Sequence, residues 1–243
     1  MEPLFLAAIC AACFFGGLVQ AVTGFGFGIL VMTVFPYLMP SYVSAATLSM
    51  MLSMTTSICV AFSLRRLVDL RLLMIPLAGY ALSNVFCIVL SASQPDGVLR
   101  RLLGLFLVLI AVWFVRFSER VKIAPSARNG FLAGLLSGVL SGLFATGGPP
   151  MVIYLMAVIP EPAAYLANIQ FHLAASSVFN LIVRILNGMV TKTVLIAWCF
   201  GIVAAMAGTL CGRKISSRLN PVLLKRLVYG FIAVSGAALL AAS

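Results

Sequence analysis

Two short runs carry the residue types that bind anions. Thr23-Gly24-Phe25-Gly26-Phe27-Gly28 and Thr146-Gly147-Gly148-Pro149-Pro150 each interrupt a long apolar stretch. A helix that begins just after such a break presents unpaired N–H groups and the positive end of its dipole. Glycine lets an anion approach that backbone closely, and proline suits a first helical turn because its missing N–H is not needed there. Two such starts, near Gly28 and Pro149, facing one another would form a cradle for a small anion. The competing reading gives these glycines to helix packing alone; that reading suits Gly134, Gly138 and Gly142, spaced by four.

A second set lies on the segment 163–187. Asn168, His172, Ser176, Asn180 and Arg184 recur at spacing four and form a polar stripe that drifts by about 40° per step. Gln170 and Ser177 flank it. An ionisable group inside a membrane span is costly and is a functional candidate by default. His172, the only histidine, carries two readings: a proton switch, or a neutral ring bonded to a neighbouring helix. Arg184 also carries two: a two-pronged partner for an anion, or a snorkelling residue near the end of its span. Asn168 and Gln170 suit bonds across helices as well as a substrate. The candidate substrate-binding set is Gln20, Thr23, Gly24, Gly26, Gly28, Thr146, Gly147, Gly148, Pro149, Asn168, Gln170, His172, Asn180 and Arg184. No metal site and no cofactor are expected, and a nucleotide loop of the form Gly-x-x-x-x-Gly-Lys-Ser/Thr is absent from the sequence.

The elements that must position these residues follow from composition. Of 243 residues, 63% are hydrophobic and 9% charged, against about 25% charged in a soluble domain. That excludes a soluble globule and a collagen-like, disordered or nucleic-acid-binding chain, and leaves an all-α polytopic membrane protein. The net charge of +11 reports topology, because the basic residues cluster in short loops. The six cysteines fall within apolar segments and read as free thiols; Cys10-Ala-Ala-Cys13 lacks the two further ligands that zinc requires. Met1-Glu2-Pro3 is acidic where a cleaved leader is basic, so the first segment is expected to remain in the mature protein.

Uninterrupted apolar runs predict spans at 43–63, 72–92, 98–116, 163–187, 192–211 and 222–242. The broken regions 4–39 and 130–159 read as re-entrant hairpins: their second arms, 27–39 and 149–159, reach only about 20 Å and 16 Å of a hydrocarbon core about 30 Å thick. The first arm, 4–22, is long enough to cross if taken alone. A constant shift of 121 residues places Gly17 on Gly138, Gly26 on Gly147, Arg71 on Lys192 and Ile75 on Ile196. The expected organisation is therefore two repeats, 1–116 and 129–243, joined by a cytoplasmic linker at 117–128. Each repeat is a hairpin followed by three transmembrane helices. Three crossings per repeat invert the halves and put loops 64–71, 117–128 and 212–226 on one side. All sixteen Lys and Arg except Arg100, Arg101, Arg184 and Lys192 then share it. The positive-inside bias favours this count and places both termini on the non-cytoplasmic side of a cell (inner) membrane. Ten crossings would give the same charge pattern but conflict with the short arms.

Leu136-Ser-Gly-Val-Leu-Ser-Gly-Leu-Phe-Ala-Thr-Gly-Gly-Pro-Pro-Met-Val-Ile-Tyr154, with Val19-Gln-Ala-Val-Thr-Gly-Phe-Gly-Phe-Gly-Ile-Leu30, resembles the sulfite exporter TauE/SafE family. The resemblance runs along the whole chain in segment order. It implies a multi-pass exporter or permease for sulfite, sulfoacetate and related organosulfonates, with glycine-rich hairpins near the substrate. Many members carry three consecutive glycines in the first hairpin; Phe25 and Phe27 stand within that run here and reshape the pocket.

The expected function is export of a small oxyanion, sulfite or a small organosulfonate, by a secondary transporter. Its expected partners are that anion and the lipid bilayer, a homodimer is possible, and no nucleic acid is involved. An oxyanion channel or uptake permease would use the same cradle. A reading of a different class, an intramembrane serine hydrolase, would pair Ser137 or Ser141 with His172 as base.

Overall fold

The computed structural model describes residues 3–117 and 124–216, together with 233–234, 236–237 and 240–241 of the final segment. The described residues form helices and turns. In chain order these are α1 (Pro3–Thr23), α2 (Phe27–Val31), α3 (Phe35–Leu38), α4 (Tyr42–Ser63), a 3-10 turn (Arg65–Leu67), α5 (Leu70–Ala92), α6 (Asp96–Phe117), α7 (Ala127–Phe144), α8 (Gly148–Val158), α9 (Pro162–Leu186) and α10 (Lys192–Ser216). Five of them, α1, α4, α5, α9 and α10, are long and apolar enough to cross a membrane. The expected span 222–242 and most of the linker 117–128 fall outside the described residues.

Local chemistry sets the helix starts. Ser41, Asp69, Ser126 and Glu161 occupy N-cap positions, and each side chain accepts from one or two first-turn amides. Pro162 follows Glu161 at the first position of α9, where no N–H is needed. Both broken regions are broken as the sequence suggests. α1 ends at Thr23 and α2 begins at Phe27; α7 ends at Phe144 and α8 begins at Gly148. The return arm of the first hairpin departs from expectation by splitting into α2 and α3. The break falls ahead of Pro36, which has no N–H to bond the Met32 carbonyl and whose ring crowds that carbonyl, whereas α5 carries Pro76 in its interior without a break. In α8 the prolines lie at the start only, and 11 residues run unbroken.

Glycine registers fix how the long helices run. A Cβ at Gly134, Gly138 and Gly142 of α7 would meet Pro76, Tyr80, and Asn84 with Cys87 of α5, in rising order, so the two helices are parallel. Gly201, Gly208 and Gly212 of α10 face Cys13, Phe14 and Leu18 of α1, so that pair is parallel too. α4 and α9 are antiparallel: Thr47, early in α4, bonds Arg184, late in α9, while Asn168 bonds Leu67 and Asp69 just beyond the far end of α4. Each hairpin is thus seamed to a span from the other half of the chain, α1 to α10 and α7 to α5, with α4 and α9 between. Gly134, Gly138 and Gly142 take the packing role expected of them. Backbones this close leave no room for a side chain, which is how helices associate without a hydrophobic drive between them.

The seam gives a direct expectation. A methyl at Gly134 runs into the Pro76 backbone, whereas nothing lies within 4 Å of the same atom at Gly97. Gly134→Ala should destabilise the folded protein by about 1–3 kcal/mol and lower its thermal midpoint in detergent. Gly97→Ala should not, and equal midpoints for both would contradict the seam.

Candidate functional site

The first break is built from backbone that only glycine adopts easily. Gly24 and Gly26 have φ of 82° and 97°. The Thr23 hydroxyl, 2.9 Å from the Val19 carbonyl and 2.6 Å from that of Phe25, closes the turn. Gln170 of α9 holds it from outside, donating from Nε2 to the Gly24 carbonyl at 3.1 Å. Gln20 donates to Gln170 Oε1 at 3.1 Å and to Ser57 Oγ at 2.7 Å, and accepts from Thr56 at 3.0 Å. The break is therefore anchored to both central helices. Gln20, one turn before the break, lies at the level of Ser57, six residues (roughly 9 Å) short of the end of α4.

The second break turns at Ala145, the positive-φ residue other than glycine among the described residues, at 55°. Ser137 donates to the Gly147 carbonyl at 2.5 Å, and Gly147 caps α8, with Gly148 and Pro149 opening that helix. The two breaks touch. A Cβ at Gly28 would collide with the Ala145 carbonyl oxygen, and one at Gly148 would sit 3.3 Å from Phe25 Cβ.

Around this meeting point lies a small cavity of about 30 Å³. Polar side chains of Gln20, Ser53, Tyr80, Ser137, Ser141, Thr146, Ser176 and Ser177 line it, together with the backbone of Gly26, Gly28, Gly147, Gly148 and Pro149. Phe25, Phe27, Ile29, Met50 and Leu173 complete the wall, and among the described residues no charged side chain does. Thr146 is 3% exposed, and its hydroxyl has no hydrogen-bond partner among the described residues. First-turn amides, short of intrahelical partners, and spare hydroxyls suit a guest that only accepts hydrogen bonds.

Of the fourteen residues expected from sequence, Gln20, Gly26, Gly28, Thr146, Gly147, Gly148 and Pro149 line the cavity. Thr23, Gly24 and Gln170 shape the first break. Asn168 instead ties α9 to the loop after α4, through Ala164, Leu67 and Asp69. His172 is buried with its ring 5.9 Å from that of Tyr80, and neither nitrogen has a partner among the described residues. Of the two readings of His172, the bond to a neighbouring helix is not made among the described residues. Arg184 does not snorkel. It is 0% exposed and donates to Asn180 at 2.7 Å, Thr47 at 3.0 Å and the Gly142 carbonyl at 3.4 Å. Residue patterns did not single out Tyr80, whose hydroxyl sits in an otherwise apolar run, or Ser53 as lining groups, whereas Phe25 and Phe27, expected to shape the pocket, do line it. Ser137 and Ser141 were visible only as weak nucleophile candidates. Their hydroxyls are bonded to Gly147 and to Tyr80, not to His172.

The family profile described as sulfite exporter TauE/SafE matches residues 9–239. The chain belongs to that family. It is accordingly a membrane transporter and not an enzyme, which removes the serine hydrolase reading. A protein of Cupriavidus necator described as a probable sulfite/organosulfonate exporter TauE is 24% identical over 230 residues, covering 91% of this chain and 88% of its own. No solved structure matches the chain. Within this TauE/SafE chain the meeting of two broken hairpins is the feature that a transporter can use.

Thr146 separates binding from folding. Its hydroxyl contributes no hydrogen bond to the fold, so Thr146→Val should leave the thermal midpoint unchanged. It should weaken sulfite binding about tenfold, the cost of one hydrogen bond to a charged group. Calorimetric titration of the purified variant with sulfite checks this; unaltered affinity would remove Thr146 from the site.

Proposed function

We propose that this chain is a secondary transporter that exports a small oxyanion, sulfite or a small organosulfonate, held between the two broken hairpins near mid-membrane. The observation that carries the proposal is the contact of Gly28 with Ala145 and of Gly148 with Phe25 around a buried, hydroxyl-lined cavity. Irregular backbone at membrane depth is tolerated only where protein or a polar cavity satisfies it. Two such stretches converge on one space, as inverted-repeat transporters use discontinuous helices.

The helix directions support inversion. α1 and α4 run one way and α7 and α9 the other, as follows from α1 parallel to α10, α5 parallel to α7, and α4 antiparallel to α9. The loops after α4, α6 and α10 then share one face, and they carry most of the basic residues. We assign that face to the cytoplasm of an inner membrane and both termini to the opposite face. The cavity is complete within one chain, so a second copy is not required to form it.

The cavity is small, and a carrier that widens it on one side at a time fits this better than an open channel. Energetics favour the outward direction. An anion leaving a cell that is negative inside gains about 2.3 kcal/mol per charge for each 100 mV, and no nucleotide is needed.

Counterflow in proteoliposomes tests the proposal. Vesicles preloaded with unlabelled sulfite should accumulate labelled sulfite transiently and saturably. Unitary currents without counterflow would instead establish a channel, and no flux of sulfite or any small sulfonate would overturn the substrate assignment.

A further inference from the structure

We infer that Arg184 and Asn180 act as a positioning relay that makes the Tyr80–Ser141 hydroxyl pair a net hydrogen-bond donor toward an anion in the central cavity. The inference rests on the proposed oxyanion site and adds to it the groups that fix its sign.

The relay is a matter of counting hydrogens. Arginine can only donate, and its Nε lies 2.7 Å from Asn180 Oδ1. That commits the amide oxygen to Arg184 and turns Asn180 Nδ2 toward Tyr80 Oη and Ser141 Oγ, each at 3.3 Å. Both hydroxyl oxygens therefore accept from Asn180. They lie 2.7 Å from each other, and one hydroxyl hydrogen closes that bond. The pair holds two such hydrogens, so the second must leave the triad. Tyr80 and Ser141 both line the cavity, and neighbouring Ser176 donates to the Leu173 carbonyl at 3.2 Å. Ser176 is a further side-chain partner of Tyr80, so the surplus hydrogen leaves the triad either on Ser141 into the cavity or on Tyr80 toward Ser176 Oγ, and an anion in the cavity selects the first.

Reversing the amide would reverse the outcome. Oδ1 turned to the hydroxyls would absorb both hydrogens and leave the cavity with lone pairs, which repel an oxyanion. Arg184 prevents this without touching the guest. Its remaining contacts, Thr47 Oγ1 at 3.0 Å and the Gly142 carbonyl at 3.4 Å, are with neutral groups, and Thr47 is itself committed to the Val43 carbonyl at 2.7 Å. A buried cation with neutral partners also leaves a positive field in the core, a second bias toward anions.

The relay makes an unusual prediction for counterflow kinetics. With Tyr80→Phe, Ser141 still accepts from Asn180 and still has a hydrogen to donate; with Ser141→Ala, Tyr80 still accepts from Asn180 and turns its hydrogen from Ser176 to the guest. Each single variant should hold the apparent KM for sulfite within about threefold of wild type, and the double variant should raise it by about tenfold or more. Asn180→Asp, acceptor-only and nearly isosteric, should capture both hydrogens and match the double variant, with a maximal rate close to wild type. A purely structural role for these bonds predicts instead that the two single effects multiply and that the maximal rate falls with the thermal midpoint. Multiplicative effects in the double variant, or an unchanged KM in Asn180→Asp, overturn the relay; Asn180→Asp decides if the double variant does not insert. Wild-type vesicles that carry no oxyanion would overturn the proposed function and the relay together. Wild-type flux with an unaffected double variant overturns the relay alone.

Discussion

The constraint on which this structure depends is that a peptide backbone inside lipid must satisfy its polar groups within the protein. At the two breaks the α-helical pattern stops, and side chains take over carbonyls that it leaves. The Gly24 carbonyl is taken by Gln170 and the Gly147 carbonyl by Ser137, and the Ala145 carbonyl packs so closely on Gly28 that no side chain fits there. Beside the first-turn amides of α2 and α8, which lack intrahelical partners, the Thr146 hydroxyl has no partner among the described residues. A polar guest completes the backbone that the fold leaves unfinished.

The seams explain how such a meeting is held and how it could open. α1 lies on α10 and α7 on α5 through glycines that admit only backbone. Each hairpin is consequently anchored to the opposite half, while Gln20, Gln170 and Arg184 bind the breaks to α4 and α9. Hydrogen-bonded side chains can exchange partners at lower cost than close-packed glycine seams can separate. The exchangeable contacts are therefore those at the cavity, and the rigid ones lie behind it.

Much of this was legible in the sequence because glycine and proline mark their own positions. The 121-residue shift pairs Gly26 with Gly147, and both prove to be the N-caps of their return helices. It pairs Gly17 with Gly138, and both face the backbone of the partner span. The helices expected at 43–63, 72–92, 98–116 and 163–187 were found within a few residues, and that expected at 192–211 continues to Ser216 through the basic residues Arg213 and Lys214, which hydropathy alone reads as a loop; the span 222–242 lies outside the described residues. The polar stripe on α9 was legible as a stripe but not as a site. A drift of about 40° per step over four steps turns it well around the helix, so Asn168 serves a loop while Asn180 and Arg184 serve the second break. Tyr80 was missed because hydropathy scores its ring and not the hydroxyl that reaches Ser141. The split of the first return arm at Pro36 was missed because Phe35–Leu38 is as apolar as what precedes it.

The most direct test of the central claim is to bridge the two breaks covalently. In a protein otherwise lacking cysteine, Phe25→Cys and Gly148→Cys place their Cβ atoms about as close as in a disulfide, since the Gly148 Cβ position is 3.3 Å from Phe25 Cβ. Mild oxidation should cross-link them within one chain, sulfite should slow that reaction, and the cross-link should abolish sulfite counterflow until a reductant restores it. A fully cross-linked protein that transports sulfite at the rate of its reduced form would contradict the account, as would a failure of the pair to cross-link at all.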